Sequence, residues 1–183
     1  MVKINMMSWK RNFGDDWIHI GDAEDGWGKK LTHIHDTDIF LKAQFDGTID
    51  LIYCSHGIAY FDKQGGLWLL KQWFKKLRPG GKIEIATPNW DILKLMKDPL
   101  LGPLYGKMSV GDNNGEVYHK TVYSFDTLKT ALEAAGFTDV KLYDHRQTCH
   151  PNTGERSDKY DDHSAAYIDG VLISLNVEAS KPL

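Results

Sequence analysis

The apolar positions of this chain fall into short runs in the first quarter and into alternating helical and strand patterns afterwards. Residues 2–7 (VKINMM) form an apolar run that reads as a first, central strand. Residues 8–16 are polar with a glycine and read as a loop. Residues 17–20 (WIHI) form a second short strand, ended by Gly21-Asp22, and residues 31–35 (LTHIH) a third. Between them, residues 23–28 are acidic and glycine-rich, a turn composition. Residues 36–45, with Ile39, Leu41 and Phe45 apolar, have room for a short helix. A parallel crossover usually takes a dozen or more residues and a helix. Only about nine separate the first two runs, so either that crossover helix is very short or absent, or the two strands are not adjacent.

The pattern is clearest over residues 50–88. Asp50 opens the apolar run Leu51-Ile52-Tyr53-Cys54, which breaks at Ser55-His56-Gly57. Leu67, Leu70, Phe74 and Leu77 then recur at offsets of three and four, the mark of a helix face, and Pro79-Gly80-Gly81 stops that helix. Ile83, Ile85 and Thr87 alternate with Lys82 and Glu84, a strand. Strand, helix and strand make one βαβ unit, hence parallel strands in an α/β sheet.

Further on, residues 89–97 read as a helix start with Asn89 as N-cap and Asp91 in its first turn. Residues 98–115 are rich in Gly, Pro and Asn and read as a long irregular loop. Residues 124–136 read as a helix capped by Ser124, with Leu128, Ala131, Leu132 and Ala135 inward and Gly136 at its end. Residues 137–143 are a strand, residues 145–165 a polar loop, and residues 167–179 one long final strand.

Composition narrows the class. At 183 residues, 42% hydrophobic and 26% charged, the chain suits a single domain with a substantial core, spanning residues 1–183. A net charge of −3 with no basic stripe argues against a nucleic-acid surface. Cys54 and Cys149 lie far apart, so a disulfide framework is not expected, and reduced thiols fit a cytoplasmic protein. No run approaches a membrane span, and residues 1–11 lack the apolar core of a signal peptide. Six tryptophans are chiefly packing material.

In an open α/β sheet, ligands bind outside the carboxyl ends of the strands. That selects the residues after Met7, Ile20, His35 and Cys54. His33, His35, Asp36 and Asp38 cluster at the third place, but no further ligand has metal-site spacing. His145, Cys149, His150, Asp161, Asp162 and His163 match no metal pattern either, so no metal is assigned.

The helix ending in Leu77-Arg78-Pro79-Gly80-Gly81-Lys82, followed by a strand ending Thr87-Pro88, resembles the class I S-adenosylmethionine-dependent methyltransferases. Asp50-Leu51-Ile52-Tyr53-Cys54-Ser55-His56 resembles their fourth strand and the loop after it. Residues 10–14 followed by Asp16-Trp17-Ile18-His19-Ile20 are similar to short bacterial and phage members. The resemblance implies a three-layer, Rossmann-like sheet, mostly parallel with an antiparallel last strand and a reduced N-terminal half. It implies S-adenosylmethionine as cofactor and a small-molecule or saccharide acceptor.

It also carries residue roles. The loop after the first strand, here Asn5-Met6-Met7-Ser8, would face the amino-acid part of the cofactor. The family has a Gly-x-Gly turn there; this chain has bulky side chains instead, a degenerate motif. Asp22 stands near the place of the acid that binds the ribose, with a plain turn aspartate as the alternative. His35 and Asp36 would end a strand beside the adenine, and Cys54 and Ser55 would lie near the methionine portion. Ser55 to Phe61 is similar to the family stretch Ser-His-x-x-Glu-His-Phe; His56 is kept, and Ala59-Tyr60 replaces the Glu-His pair. His56 is a candidate base, with a loop or cap histidine as the alternative. His119 matches a cleft-facing histidine of the same relatives, against the alternative of a solvated loop. The missing glycines leave a second reading open: a methyltransferase-like domain turned to binding or interaction, without catalysis.

Overall fold

The structure, a computed structural model, describes residues 1–8, 13–14, 16–20, 33–34, 45–96, 101–110, 115–147 and 165–183. Its centre is the predicted βαβ unit. Strand β4 (Ile49–Ser55) leads through a short 3₁₀ turn (Gly57–Tyr60) into helix α1 (Lys63–Lys76), which returns along β5 (Leu77–Pro88). Strands β1 (Lys3–Met6), β2 (Ile18–Ile20) and β3 (His33–Ile34) extend the sheet on one side. On the other side lie helix α4 (Phe125–Ala135), strand β8 (Thr138–Leu142) and strand β11 (Ser174–Ser180).

The seven-stranded order is β3-β2-β1-β4-β5-β11-β8. Strands β1 to β5 pair in parallel; β11 runs antiparallel to both β5 and β8. This is the mostly parallel Rossmann-like sheet with an antiparallel last strand that the sequence implied. The order reverses between β1 and β4, because β1 pairs with both β2 and β4. A switch of that kind leaves a crevice at the strands' carboxyl ends.

Register explains the two faces. Ile4 and Met6, Ile52 and Cys54, Ile83 and Ile85, and Leu175 and Val177 share one face, packed against Leu69, Leu70 and Trp73 of α1 and Leu128 and Leu132 of α4. Leu51 and Tyr53 share the opposite face and pack with Phe13 and Trp17. The buried Asn5, Ser55 and Glu84 lie on that second face by strand alternation.

Several expectations change. The inner face of α1 is Gly66, Leu69, Leu70 and Trp73, while Leu67 and Phe74 are only half-buried. Trp73 is thus core, while Trp68 on the other side of the helix is exposed, and the stripe is rotated by part of a turn. The helix ends at Lys76, because Leu77 is already extended, so Pro79-Gly80-Gly81 lies inside β5 rather than at the helix stop. The stretch 98–115, read as irregular, holds a helix α3 (Leu101–Tyr105) and the start of a hairpin, β6 (Met108–Val110) with β7 (Gly115–Val117). The final strand is broken. Asp169 and Gly170 both take left-handed φ, 49° and 77°, and make a two-residue hairpin between β9 (Tyr167–Ile168) and β10 (Val171–Leu172) before β11 begins. Asp-Gly is the usual signature of that turn. Helix α2 (Trp90–Leu93) follows its expected cap, the Asn89 side chain accepting from the Asp91 amide at 3.0 Å.

Candidate active site

The crevice is built by the loops that leave β1 and β4. At the end of β1, Met7 takes φ 54°, the left-handed region. A side chain there meets the following carbonyl, at a cost of about 1–2 kcal/mol, so glycine is the ordinary occupant. Met7 therefore keeps the backbone of a glycine turn without the glycine. The Ser8 amide then donates to the Ile20 carbonyl at 2.9 Å and draws the chain towards β2.

At the end of β4 the same device recurs. His56 takes φ 59°, and its amide donates to the Ala86 carbonyl of β5 at 2.7 Å. The chain turns at once into the 3₁₀ turn, which His56 caps. Gly57 opens that turn because nothing larger fits. A Cβ there would overlap the Met7 thioether and lie 2.9 Å from Cys54 Sγ. The loops after β1 and β4 thus touch through Met7 and Gly57. The hydroxyls of Ser8, after β1, and Ser55, at the end of β4, are buried and have no hydrogen-bond partner among the described residues.

Two histidines meet beside these loops. The His56 and His119 rings lie 6.2 Å apart, and the Tyr60 ring stands edge-on to His119 at 4.7 Å. His119 is held from several directions. Its amide donates to the Tyr105 carbonyl at 2.7 Å, and its Nδ1 donates to the Pro103 carbonyl at 3.2 Å. A carbonyl only accepts, so Nδ1 carries the proton and the neutral ring keeps its lone pair on Nε2. Burial pushes the His119 imidazole below its ordinary value of 6.5; the carbonyls of Pro103 and Leu104 offset part of that. The next residues clamp onto the 3₁₀ turn, Lys120 and Thr121 both donating to the Ala59 carbonyl. Two imidazoles at the carboxyl edge of a parallel sheet suit proton abstraction from a bound substrate.

A surface depression of about 610 Å³ adjoins this cluster, lined by Asp62, Lys63, Gln64, Lys120, Thr121 and Val122. It contains none of the residues singled out from the sequence.

The sequence profile of the methyltransferase domain family matches residues 10–142, most of the chain. The chain belongs to that family. Solved structures agree on the fold of this methyltransferase domain. An S-adenosylmethionine-dependent methyltransferase from Archaeoglobus fulgidus aligns with a TM-score of 0.59 at 19% identity, over 98% of this chain and 85% of that one. Human N-acetylserotonin methyltransferase in complex with S-adenosylmethionine aligns with a TM-score of 0.60 at 15% identity, over 100% of this chain but only 48% of its own. A possible histamine N-methyltransferase from Thermotoga maritima aligns at 0.59 and 13% identity, over 98% and 81%. No curated protein matches the sequence. Membership of that family makes the chain a methyltransferase with S-adenosylmethionine as its cofactor.

The structure brings Met7, Ser8, Cys54, Ser55, His56 and His119 of this methyltransferase to one edge of the sheet. Asp22, His35 and Asp36 lie outside the described residues. Met6 is fully buried in the core against α1, and Asn5 is buried on the opposite face. The ends of β1 and β4 suit a polar cofactor in one respect: among the described residues the buried Ser8 and Ser55 hydroxyls have no hydrogen-bond partner. Such groups are costly unless a partner arrives. Three residues of the site escaped the sequence reading. Gly57 looked like an ordinary turn glycine. Tyr60 and Gly106 touch His119 from positions far apart in the chain, and no local pattern links them.

Proposed function

We propose that this methyltransferase moves a methyl group from S-adenosylmethionine to a small-molecule or saccharide acceptor, with His56 as the base that takes the acceptor's proton. One observation carries the reading. His56 is locked in a left-handed conformation at the tip of β4, 6.2 Å from His119 and next to the unbonded Ser55 hydroxyl. The cofactor supplies an already activated methyl group, so the protein's part is to bind, align and deprotonate. Ser8, Ser55 and the backbone around Met7 hold the cofactor; Asn5, Met6 and Cys54 shape the strand ends beneath it. Asp22, His35 and Asp36 complete the ribose and adenine contacts. His56 accepts the proton, and His119 keeps the cleft neutral beside it. The 183 residues act as one domain, in the cytoplasm. Among the described residues no helix is long and apolar enough to cross a membrane.

The experiment is methyl transfer from labelled S-adenosylmethionine to a panel of hydroxylated and amine acceptors. His56→Ala is expected to lower transfer by about 10²–10⁴-fold, the usual contribution of a positioned base, while the folded chain still binds S-adenosylhomocysteine. Full activity in His56→Ala would remove the histidine from the mechanism.

One observation favours a second reading, a domain repurposed for binding without transfer. Met7, where the family has glycine, lays its side chain against Gly57 in the crevice. Under that reading the wild-type chain gives no transfer to any acceptor, and Met7→Gly improves binding of S-adenosylhomocysteine.

A further inference from the structure

We propose that Tyr60 is a positioning residue, which fixes the His119 imidazole against His56 and fastens the end of α3 to the turn after β4. The role rests on the methyl-transfer reading above, but its geometry stands independently.

Tyr60 ends the 3₁₀ turn that His56 begins, so its backbone is set by the same four residues that set His56. Its ring meets His119 edge-on, with centroids 4.7 Å apart, the spacing of a specific aromatic pair rather than incidental contact. Its Oη reaches further and donates to the Gly106 carbonyl at 2.7 Å. Gly106 closes α3 with φ 51°, and any side chain there would run into the His119 ring. His119 returns the contact: its amide bonds Tyr105 and its Nδ1 bonds Pro103, both on α3. Tyr60, Gly106 and His119 therefore interlock three pieces of chain: the turn after β4, the end of α3, and the approach to α4. None of these contacts is local in sequence. In the family stretch that this region resembles, a Glu-His pair stands where this chain has Ala59-Tyr60. Here Tyr60 stands in the place of that second histidine, with its ring against His119.

The interlock makes separable demands on Tyr60. The ring shields His119 from water, and the hydroxyl ties down Gly106. Tyr60→Phe keeps the first and loses the second; Tyr60→Ala loses both.

The test is imidazole nitrogen NMR of the full chain, with His56 and His119 assigned by substitution, across a pH series. In the wild type the His119 ring titrates below the ordinary histidine value. Tyr60→Ala is expected to bring it back towards that value and to shift the His56 resonances. Tyr60→Phe is expected to preserve the His119 titration while its amide, bonded to Tyr105, exchanges roughly fivefold faster, the loss of one neutral hydrogen bond. Thermal melts confirm that both variants fold. A folded Tyr60→Ala chain whose His119 titration and His56 resonances match the wild type would overturn the proposal. So would a Tyr60→Phe chain that behaves like Tyr60→Ala, since the ring would then do nothing. Calorimetry with S-adenosylhomocysteine runs on the same samples. Retained binding in Tyr60→Ala alongside a moved His119 signal supports placement of the imidazole rather than construction of the cofactor site. Absence of binding in the wild type would defeat the methyltransferase reading while the His119 signal still decides the role of Tyr60.

Discussion

Met7 holds a backbone conformation made for glycine and rests its thioether on the residue that has no side chain of its own, Gly57. The pair makes a stability prediction with an unusual sign. At ordinary positions alanine is at least as stabilising as glycine, because glycine loses more freedom on folding. At position 7 the left-handed φ reverses this, and Met7→Gly is expected to be more stable than Met7→Ala by about 1 kcal/mol in urea unfolding. Gly57→Ala should cost about 1–3 kcal/mol by overpacking against Met7 and Cys54. In the Met7→Gly background that cost should fall, giving a coupling of at least ~0.5 kcal/mol in a double-mutant cycle. Additive effects would mean that the two loops do not touch as described.

His119 makes a pH prediction. Burial lowers its folded-state value, while the unfolded chain protonates near 6.5. Above 6.5 both states are neutral and the residue adds no pH dependence. As pH falls below 6.5 the unfolded state takes up the proton first, so stability drops until the folded value is reached. His119→Gln is expected to flatten the stability profile in that window, measured as the difference from wild type between neutral and mildly acid pH. An unchanged difference across the window would contradict the burial of this ring.

The candidate site was legible at this scale only where the sequence repeats a family word. Ser55-His56 and the loss of glycines after β1 are visible in one reading. That Met7 nevertheless keeps the glycine backbone, and that His119 is gripped by Tyr60 and Gly106, are facts of long-range contact that no local pattern encodes.

At the scale of elements, the strongest periodicities were realised. Helix α4 begins and ends where its caps dictate: Ser124 accepts from the Thr127 amide, Thr127 answers the Ser124 amide, and Gly136 closes the helix at φ 107°. Ser124→Ala is expected to cost about 1 kcal/mol of stability, read from the denaturation midpoint. A neutral result would mean that α4 is held by its buried Leu128 and Leu132 alone. Strand β5 turns Ile83 and Ile85 to the α1 face as expected, but Glu84 and Ala86 on its other face are buried as well, because both faces of the sheet are covered here. The misreadings share a cause. Offsets of three and four point to Leu67, Leu70, Phe74 and Leu77 as the apolar stripe of α1, but Trp73, with its larger surface, takes the centre together with Leu69 and Leu70. The final strand was read through Asp169-Gly170 because the alternation on either side hid the turn. Short elements such as α3 and the β6–β7 pair lack the length for periodicity to show.

For the molecule as a whole, the order of strands is the result that places the chemistry. Five parallel strands with a reversal between β1 and β4 direct the chemistry to their carboxyl ends, and β11 and β8 continue the sheet beyond β5, β11 antiparallel to both neighbours. The chain's end is fastened to the same frame: Lys181 Nζ donates to the Phe74 and Leu77 carbonyls at the end of α1. The fold and the family follow from this frame together with the match over residues 10–142.

The most direct measurement of the central claim is calorimetric titration of the purified chain with S-adenosylhomocysteine, on wild type and Ser55→Ala. The Ser55 hydroxyl is buried and unbonded in the protein alone, so its removal should leave stability unchanged within about 0.5 kcal/mol or slightly improve it. The same removal should weaken the product by roughly fivefold to tenfold, the worth of one hydrogen bond. Saturable one-to-one binding, weakened in a Ser55→Ala chain that is no less stable, is the predicted result. A wild-type chain that gives neither heat nor a thermal shift at millimolar ligand would contradict the account.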